Sequence, residues 1–271
     1  MSYKEILVCV DANKVATSCL DIACLLAKKF DAHLTALHVL PLPVIPPDDM
    51  GLIPVELIEL QQALAQKKSD EVKREVDAAA QRTGCAIEWR AVEADVTDVA
   101  VLHSRYADLI VLGQTAEAST TGMAAAALMG SGRPVLMIPH HGKFRSVGER
   151  VLVAWNRTRE STRAVHDALP LLTHAQKVTV MEVKPSHERT LHIAGADLAQ
   201  HLARHGVKAE ASATISDDIG VAEAILSRAA DLGADCLVMG GYGHSRLREF
   251  TFGGVTREIL RSMTIPTLMS H

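Results

Sequence analysis

The sequence contains the same pattern twice, and this duplication limits the folds it can adopt more than any other feature. Four landmarks recur in the same order along the chain. The matched segments are 6–11 with 151–156, 35–41 with 179–185, 107–113 with 234–240, and 134–138 with 266–269. Four matches in one order indicate an internal repeat. We therefore expect two domains, 1–142 and 148–271, joined by a short polar linker.

Each repeat alternates apolar runs with amphipathic segments, in the order β-α-β-α-β-α-β-α-β. Runs such as Cys-Leu-Val-Met at 236–239 are typical of strands buried on both faces of a sheet. Alternating strands and helices predict an α/β fold in which each half is an open parallel sheet with right-handed crossovers. Ligands bind such sheets at the carboxyl ends of the strands, near the point where the strand order reverses.

The spacing between the repeats shows where the halves differ. The offset between matched positions falls from 144 at the second landmark to 127 at the third, a difference of 17 residues in favour of the first half. These extra residues fit a proline-rich loop at 41–54 and a long polar helix around 55–82. The charges of that helix recur at helical spacing, which favours an exposed face.

A glycine-rich loop follows the strand at 236–239. Gly240, Gly243 and Gly253 form a Gly-x2-Gly-x9-Gly motif, and a helix is predicted from Val255. A strand, a glycine-rich loop and a helix N-terminus together bind phosphate, because the backbone approaches closely and free N–H groups face the anion. A tight strand-to-helix turn also needs glycine, so the spacing alone leaves both interpretations open.

The first half has a shorter version of this loop. The offset rises from 127 to 132 across it, so the first half lacks five residues there, and alanine replaces the second glycine. Fewer backbone donors make a poor phosphate site. The first half is therefore expected to hold either a pocket without a phosphate loop or no ligand.

Composition excludes several classes of function. The net charge of −4 argues against nucleic acid as the main partner, and 3% aromatic residues argue against base stacking. No apolar run approaches membrane-spanning length, and a strand begins by about Ile6, which leaves no room for a signal peptide. The five cysteines lack metal-type spacing. We expect them to be reduced in a cytoplasmic protein.

With its duplication, its first strands ending at Asp11 and Asn156, and its glycine motif, the chain resembles the universal stress protein family in its tandem two-domain form. The resemblance covers almost the whole chain. It implies two tandem, open, five-stranded parallel sheets of Rossmann-like type. Single-domain relatives pair through their last strands, which implies a pseudo-dimer within one chain through 134–138 and 266–269. Open sheet edges also favour a further homodimer.

The resemblance also implies a nucleotide site in the second half. Family members that bind ATP place adenine near the ends of the first and second strands, here Ala154, Asn156 and Val183. The ribose and phosphate side would be formed by Met239, Gly240, Gly243, Gly253, Gly254, Val255 and Thr256. An acidic residue is usual where Asn156 stands and serine where Gly254 stands. Both departures lower the expected affinity, since a charged hydrogen bond contributes about 1.5–3 kcal/mol and a neutral one about 1 kcal/mol.

Three residues near the loop have two interpretations each. His244 and Arg246 lie between the loop glycines, where one of them would contact the β- or γ-phosphate or both would be solvated. Thr256 would contact phosphate or would serve only as a hydroxyl near the helix cap.

Other polar residues have simpler structural explanations. Asp108 and Asp235 each precede a strand, where turn or capping chemistry accounts for a carboxylate without catalysis. His201 and His205 have the spacing of metal ligands but no evident third ligand, which favours a solvated helix face. Trp155, at a strand end, is expected to pack near the pocket.

Together these observations predict an adenine-nucleotide-binding stress-response protein that is regulatory rather than catalytic. It would bind ATP, with Mg²⁺ bridging the phosphates, in its second half and thereby change its affinity for a protein partner. A scaffold or a protein that binds another small ligand is the alternative. A slow ATPase is the second alternative, although the sequence has no Gly-Lys-Ser/Thr phosphate loop.

Overall fold

A computed structural model describes residues 2–11, 16–42, 55–114, 118–184, 195–215, 220–243 and 254–271. The first half comprises β1 (Glu5–Cys9), α1 (Ala16–Phe30), β2 (His33–Pro41), α2 (Val55–Thr83), β3 (Glu88–Ala94), α3 (Val96–Ser104), β4 (Leu109–Gly113), α4 (Ala118–Gly130) and β5 (Val135–Ile138). The second half comprises β6 (Arg150–Ala154), α5 (Arg159–Asp167), α6 (Leu169–Thr173), β7 (Lys177–Lys184), α7 (Ala196–Arg204), β8 (Ala209–Ile215), α8 (Val221–Asp231), β9 (Cys236–Gly240), α9 (Val255–Ser262) and β10 (Thr267–Ser270).

Both halves contribute to one sheet. The described strands follow the order β3-β2-β1-β4-β5-β10-β9-β6-β7-β8. Strands pair in parallel within each half. The last strands of the two halves, β5 and β10, pair antiparallel, with Leu268 opposite Leu136. The predicted α/β fold, with two tandem parallel sheets forming a pseudo-dimer through their last strands, is confirmed.

The inner strands are apolar along their length because helices cover both faces of the sheet. In β4 and β9 the first four residues are all buried. Helices α1, α2, α5, α6 and α7 pack on one face. Helices α4, α8 and α9 pack on the other face, as does α3 through Val99. The core under the first group includes residues of both halves, so the two sheets share one hydrophobic interior.

The length difference between the repeats lies largely in one pair of helices. The helix α2 has 29 residues, whereas its counterpart α7 has nine. Only the C-terminal part of α2 is buried, through Ser69, Val72, Val76 and Ala79. The long polar helix predicted around 55–82 is therefore confirmed, while most of the proline-rich loop lies outside the described residues. None of the described helices is both long and apolar enough to cross a bilayer.

The paired aspartates at the starts of β4 and β9 hold neighbouring strands. Asp108 Oδ2 accepts hydrogen bonds from the backbone N–H groups of Lys4 and Glu5 at 2.7 and 3.1 Å. Asp235 accepts from the Ser146 hydroxyl at 2.7 Å. It also accepts from the backbone N–H groups of 148, 149 and 150. Capping, as the sequence predicted, accounts for both carboxylates.

A buried glutamine from the first half ties the two halves together. Gln114 follows β4 at the position that corresponds to Gly241. Its Nε2 donates to the carbonyls of Leu260 and Arg261, in the last turn of α9, at 2.8 and 3.0 Å. Its Oε1 accepts from the backbone N–H of His140 at 3.0 Å. The amide thus binds carbonyls that a helix C-terminus leaves unpaired.

Replacing this amide should destabilise the protein. We expect Gln114→Ala to lower the free energy of unfolding by about 2–4 kcal/mol, because buried carbonyls lose their donors. Urea denaturation followed by circular dichroism measures the change. Gln176→Ala is the control, since Gln176 is exposed and an exposed substitution costs about 0.5 kcal/mol or less. Equal effects of the two substitutions would contradict a joining role for Gln114.

A second substitution tests the aspartate cap. Asp235→Ala removes the acceptor of hydrogen bonds from four donor groups at the start of β6. We expect a loss of about 2–4 kcal/mol in the free energy of unfolding. Asp231→Ala, at an exposed position four residues earlier, should change it by about 0.5 kcal/mol or less. Thermal or urea unfolding of both variants measures these changes. An Asp235→Ala protein with the same free energy of unfolding as the parent would show that the cap is dispensable.

Candidate functional site

The carboxyl ends of β6 and β9 lie side by side in the second half. These strands are neighbours, with Ala154 opposite Met239. The chain leaves β6 towards α5 on one face and leaves β9 towards α9 on the other. Strand order reverses at this point, since β7 lies beyond β6 and β10 lies beyond β9. Such a reversal is where open α/β sheets bind ligands.

The turn after β6 is ordered by its own polar side chains. Asn156 Oδ1 accepts from the Thr158 hydroxyl at 2.9 Å and from the Thr158 backbone N–H at 3.3 Å. Thr158 in turn caps α5 in a capping box with Ser161. The carbonyl oxygen of Asn156 is therefore used locally, which leaves its exposed amide NH₂ as the group that can meet a ligand.

An ion pair joins the ends of β6 and β7. Arg157, with a positive φ of 60°, places its Nη2 3.1 Å from Oε2 of Glu182. The Glu182 side chain is only 14% exposed. Val183 follows Glu182 in β7, next to Thr214 of β8. The predicted adenine positions Asn156 and Val183 are the chain neighbours of Arg157 and Glu182.

Packing against α5 explains two of the loop glycines. A Cβ on Gly240 would lie 2.5 Å from the backbone nitrogen of Ser161. A Cβ on Gly243 would lie 2.9 Å from Oε2 of Glu160. Such contacts are too close for any side chain. The backbone of α5 therefore requires glycine at 240 whatever the loop binds, whereas a side chain at 243 would require the Glu160 side chain to shift.

The neighbouring glycine meets the other half of the molecule. A Cβ on Gly241 would lie 2.5 Å from Cδ2 of Leu128 in α4. The backbone N–H of Gly241 donates to the carbonyl of Ser270 at 2.9 Å, which extends the pairing of β9 with β10. The start of the glycine loop is thus part of the interface between the halves.

The helix α9 begins without a side-chain cap. Gly254 is the N-cap residue, and its backbone is extended, with φ −62° and ψ 151°. No described residue accepts a hydrogen bond from the backbone N–H of Val255 or of Thr256. Free N–H groups and the helix dipole make this end suitable for an anion.

Thr256 holds the loop to this helix. Its hydroxyl oxygen accepts from the backbone N–H of Tyr242 at 3.1 Å, and the residue is 6% exposed. Tyr242 has a positive φ of 54°. In this structure the Thr256 hydroxyl thus binds the backbone of the loop near the start of α9.

Some predicted site residues contribute backbone rather than side chain, and others are not described. Met239 is 5% exposed, and its side chain packs in the core below α9, as does part of Ala154. Val255 is also partly buried there. The predicted positions His244, Arg246 and Gly253 lie outside the described residues.

Sequence reasoning missed Glu160, the buried acid of this site. Its residue is 6% exposed and lies in the first turn of α5. Burial raises the pKa of this carboxyl, but its own backbone N–H, the Thr158 side chain and Arg159 together lower that pKa below its ordinary value. The group is therefore ionised at neutral pH. Glu160 is recognised only because it lies close to Gly240 and Gly243 in the folded structure, and no sequence motif indicates that closeness.

The first half has a different arrangement at the corresponding edge. Four residues connect β4 to α4, whereas fourteen connect β9 to α9. Gln114, the first of the four, binds α9 instead of forming a phosphate loop. Val39 is 9% exposed in β2, and Asp11 is exposed after β1. Next to them, His38 Nδ1 lies 2.9 Å from the carbonyl of Val10.

A cavity of about 340 Å³ lies between α5 and α7, on the face of the sheet opposite to α9. It is lined by Trp155, Arg157, Thr162, Val165, His166, Gly195, Asp197, Leu198 and His201. None of the predicted nucleotide-site residues that the structure describes lines it. In the first half, Val72 and Val76 of the longer α2 are buried against α1. The residues that line the cavity all belong to the second half.

Three histidines lie together beside this cavity. The ring centroids of His166 and His201 are 5.3 Å apart, and those of His201 and His205 are 4.7 Å apart. Nε2 of His201 is buried without a hydrogen-bond partner among the described residues. Burial, with His205, His166 and Arg204, lowers the pKa of His201. The solvated face expected for His201 was wrong, because α5 packs against it, whereas His205 is exposed.

The cysteines of the described chain are largely buried. All five cysteines are free thiols. Burial raises the pKa of Cys9 and of Cys19 to about 12. Such thiols stay protonated and unreactive. Among the described residues no cluster of His, Cys, Asp or Glu has the arrangement of a metal site.

Comparisons with known proteins agree with this architecture. The model of the universal stress protein family matches residues 2–132 and 148–271. A universal stress protein from Archaeoglobus fulgidus DSM 4304 has a TM-score of 0.73 at 17% identity, over 97% of this chain and 95% of that chain. A functionally unknown protein from Pseudomonas aeruginosa PAO1 has a TM-score of 0.57 at 16% identity, over 98% and 92% of the two chains. At these identities the structures show a common fold.

A comparison with curated protein sequences finds no match. The family model, however, covers nearly the whole chain in two tandem segments that correspond to the two halves of the sheet. The chain belongs to the universal stress protein family.

Proposed function

We propose that the protein binds an adenine nucleotide, ATP with Mg²⁺, in its second half and acts as a regulator rather than as a catalyst. The observation that carries the proposal is the uncapped start of α9 at the strand-order reversal, next to the glycine loop. The backbone N–H groups of Val255 and Thr256 would bind phosphate there. The free amide of Asn156 and the backbone of Val183 would bind the adenine.

The loop glycines are weaker support. Contacts with the backbone of α5 alone require Gly240, and Gly243 lies against the Glu160 side chain, so their presence does not by itself indicate phosphate. Family membership adds to the proposal because ATP-binding members use this edge of the sheet. A regulatory role follows if a protein partner binds the nucleotide-bound and the free protein with different affinities. Without that difference, nucleotide binding cannot change how much partner is bound.

A proline substitution removes one proposed phosphate donor without disturbing the helix. Val255 is the first residue of α9, and proline is favoured at that position. The preceding Gly254 already has the extended backbone that a residue before proline adopts. We expect Val255→Pro to weaken Mg-ATP binding about 10- to 100-fold, because a hydrogen bond to a charged group contributes about 1.5–3 kcal/mol. Calorimetric titration of nucleotide-free protein measures it.

The chain offers a matched control for this experiment. Val221 is the first residue of α8, and its N-cap residue Gly220 has φ −63° and ψ 151°, nearly the same as Gly254. Val221→Pro should therefore leave Mg-ATP binding within about twofold of the parent. No heat of binding to the parent protein at millimolar ATP would show that the proposed function is wrong. If the parent and Val255→Pro bound Mg-ATP with equal affinity, the N-terminus of α9 would not be part of the nucleotide site.

Binding of a different small ligand is a second candidate function, which the cavity between α5 and α7 favours. Its volume suits a small molecule, its walls include Trp155, Val165 and Leu198, and the buried Nε2 of His201 offers one polar contact. A planar aromatic molecule with one hydroxyl fits this chemistry.

Tryptophan fluorescence tests this second candidate. The chain has two tryptophans, Trp89 and Trp155, so Trp89→Phe leaves Trp155 as the only tryptophan. We expect phenol to bind in the cavity and to change the emission of Trp155 until the site is saturated. Leu198→Phe should weaken phenol binding about tenfold, because the larger side chain fills the cavity. A change that rises linearly with phenol, or one that Leu198→Phe leaves intact, would argue against a ligand in the cavity.

A further inference from the structure

A buried carboxylate lies where the proposed nucleotide would place its phosphates. The Glu160 side chain is 8% exposed. Its Oε2 is 2.9 Å from the position of a Cβ on Gly243, so the carboxylate contacts the backbone of the loop itself. The backbone of the same helical turn contacts Gly240. The negative charge therefore lies beside Gly243, at the start of the loop.

The described neighbours neutralise this charge only in part. Nε of Arg159 lies 3.2 Å from Oε1 of Glu160, but the Arg159 side chain is 77% exposed, so water screens its charge. No other cationic side chain of the described residues lies within 4.0 Å of the carboxylate. Thr158 and the backbone N–H of Glu160 favour the ionised form through hydrogen bonds without adding a positive charge. A phosphate bound beside Gly243 would therefore meet a negative charge.

We propose that Glu160 selects among adenine nucleotides by their charge. Repulsion from the carboxylate grows with the number of uncompensated phosphate charges, so the second half binds AMP more tightly than metal-free ATP. A divalent cation removes this discrimination, because Mg²⁺ is bound by phosphate oxygens together with one or two carboxylates. This inference rests on the proposed function and adds the residue that decides which nucleotide the site accepts.

The test compares two nucleotides, two ionic conditions and three proteins. AMP and ATP are titrated calorimetrically into the parent, Glu160→Gln and Glu223→Gln, first with EDTA and then with excess Mg²⁺. Glutamine keeps the shape of Glu160 and an acceptor for its backbone N–H. Glu223 lies exposed in the first turn of α8, so its substitution makes the same charge change away from the loop.

In EDTA we expect the parent and Glu223→Gln to bind AMP at least about tenfold more tightly than ATP, and Glu160→Gln to reduce that ratio about tenfold. With Mg²⁺ the ratio should shift towards ATP in the parent and much less in Glu160→Gln. An unchanged ratio in a Glu160→Gln protein that still binds AMP would overturn the inference and leave the proposed function standing.

The parent protein alone provides an independent test if Glu160→Gln does not fold. Metal-free ATP that binds the parent as tightly as AMP would overturn the inference without any variant. Binding of neither nucleotide to the parent, with or without Mg²⁺, would overturn the proposed function, and the selection by Glu160 with it.

Discussion

The antiparallel pairing of β5 with β10 is the contact on which the rest of the structure depends. Each half ends in a short strand that is buried at all four positions. A strand of this kind cannot stay at the edge of a sheet, because its backbone groups and apolar side chains would both face water. Pairing turns two exposed edges into the centre of one sheet. It also brings together the helices of both halves over one core.

Two polar contacts then fix the relative position of the halves. Gln114 binds the last turn of α9 from one side of the sheet. On the other side, the hydroxyl of Tyr3 donates to the carbonyl of Asp167 at 2.7 Å. Both groups are buried, so any shift of one half against the other would leave polar atoms unpaired. The glycine loop starts at this interface, where Gly241 meets Leu128.

The sequence predicted the parts of the fold that depend on residues close together in the chain. Apolar runs and their repetition predicted the strands and their parallel order, and the family resemblance predicted the pairing of 134–138 with 266–269. The spacing predicted the long α2, and the position of Asp235 before a strand predicted its capping role. These inferences succeed because period, length and turn chemistry are properties of neighbouring residues.

Contacts between distant residues could not be predicted in the same way. Nothing near Gln114 in the sequence shows that its amide meets α9 residues 146 positions later. Glu160 resembles any exposed glutamate of a first helical turn, and only the approach of Gly243 shows that it is buried against the loop. The same approach changes the meaning of the glycine motif. Its spacing suggested phosphate, and packing against the backbone of α5 alone already requires Gly240.

Covalent fusion of the two halves has an evolutionary consequence at Gln114. In a symmetric dimer of identical chains, every substitution appears on both sides of the two-fold axis, so a loop given up to hold the interface is lost twice. In this chain the interface forms at an effective concentration set by the connection between the halves, independent of protein concentration. Selection can therefore act on the two copies separately. The loop after β4 in the first copy holds the interface through Gln114, and the loop after β9 in the second copy does not need to serve that purpose.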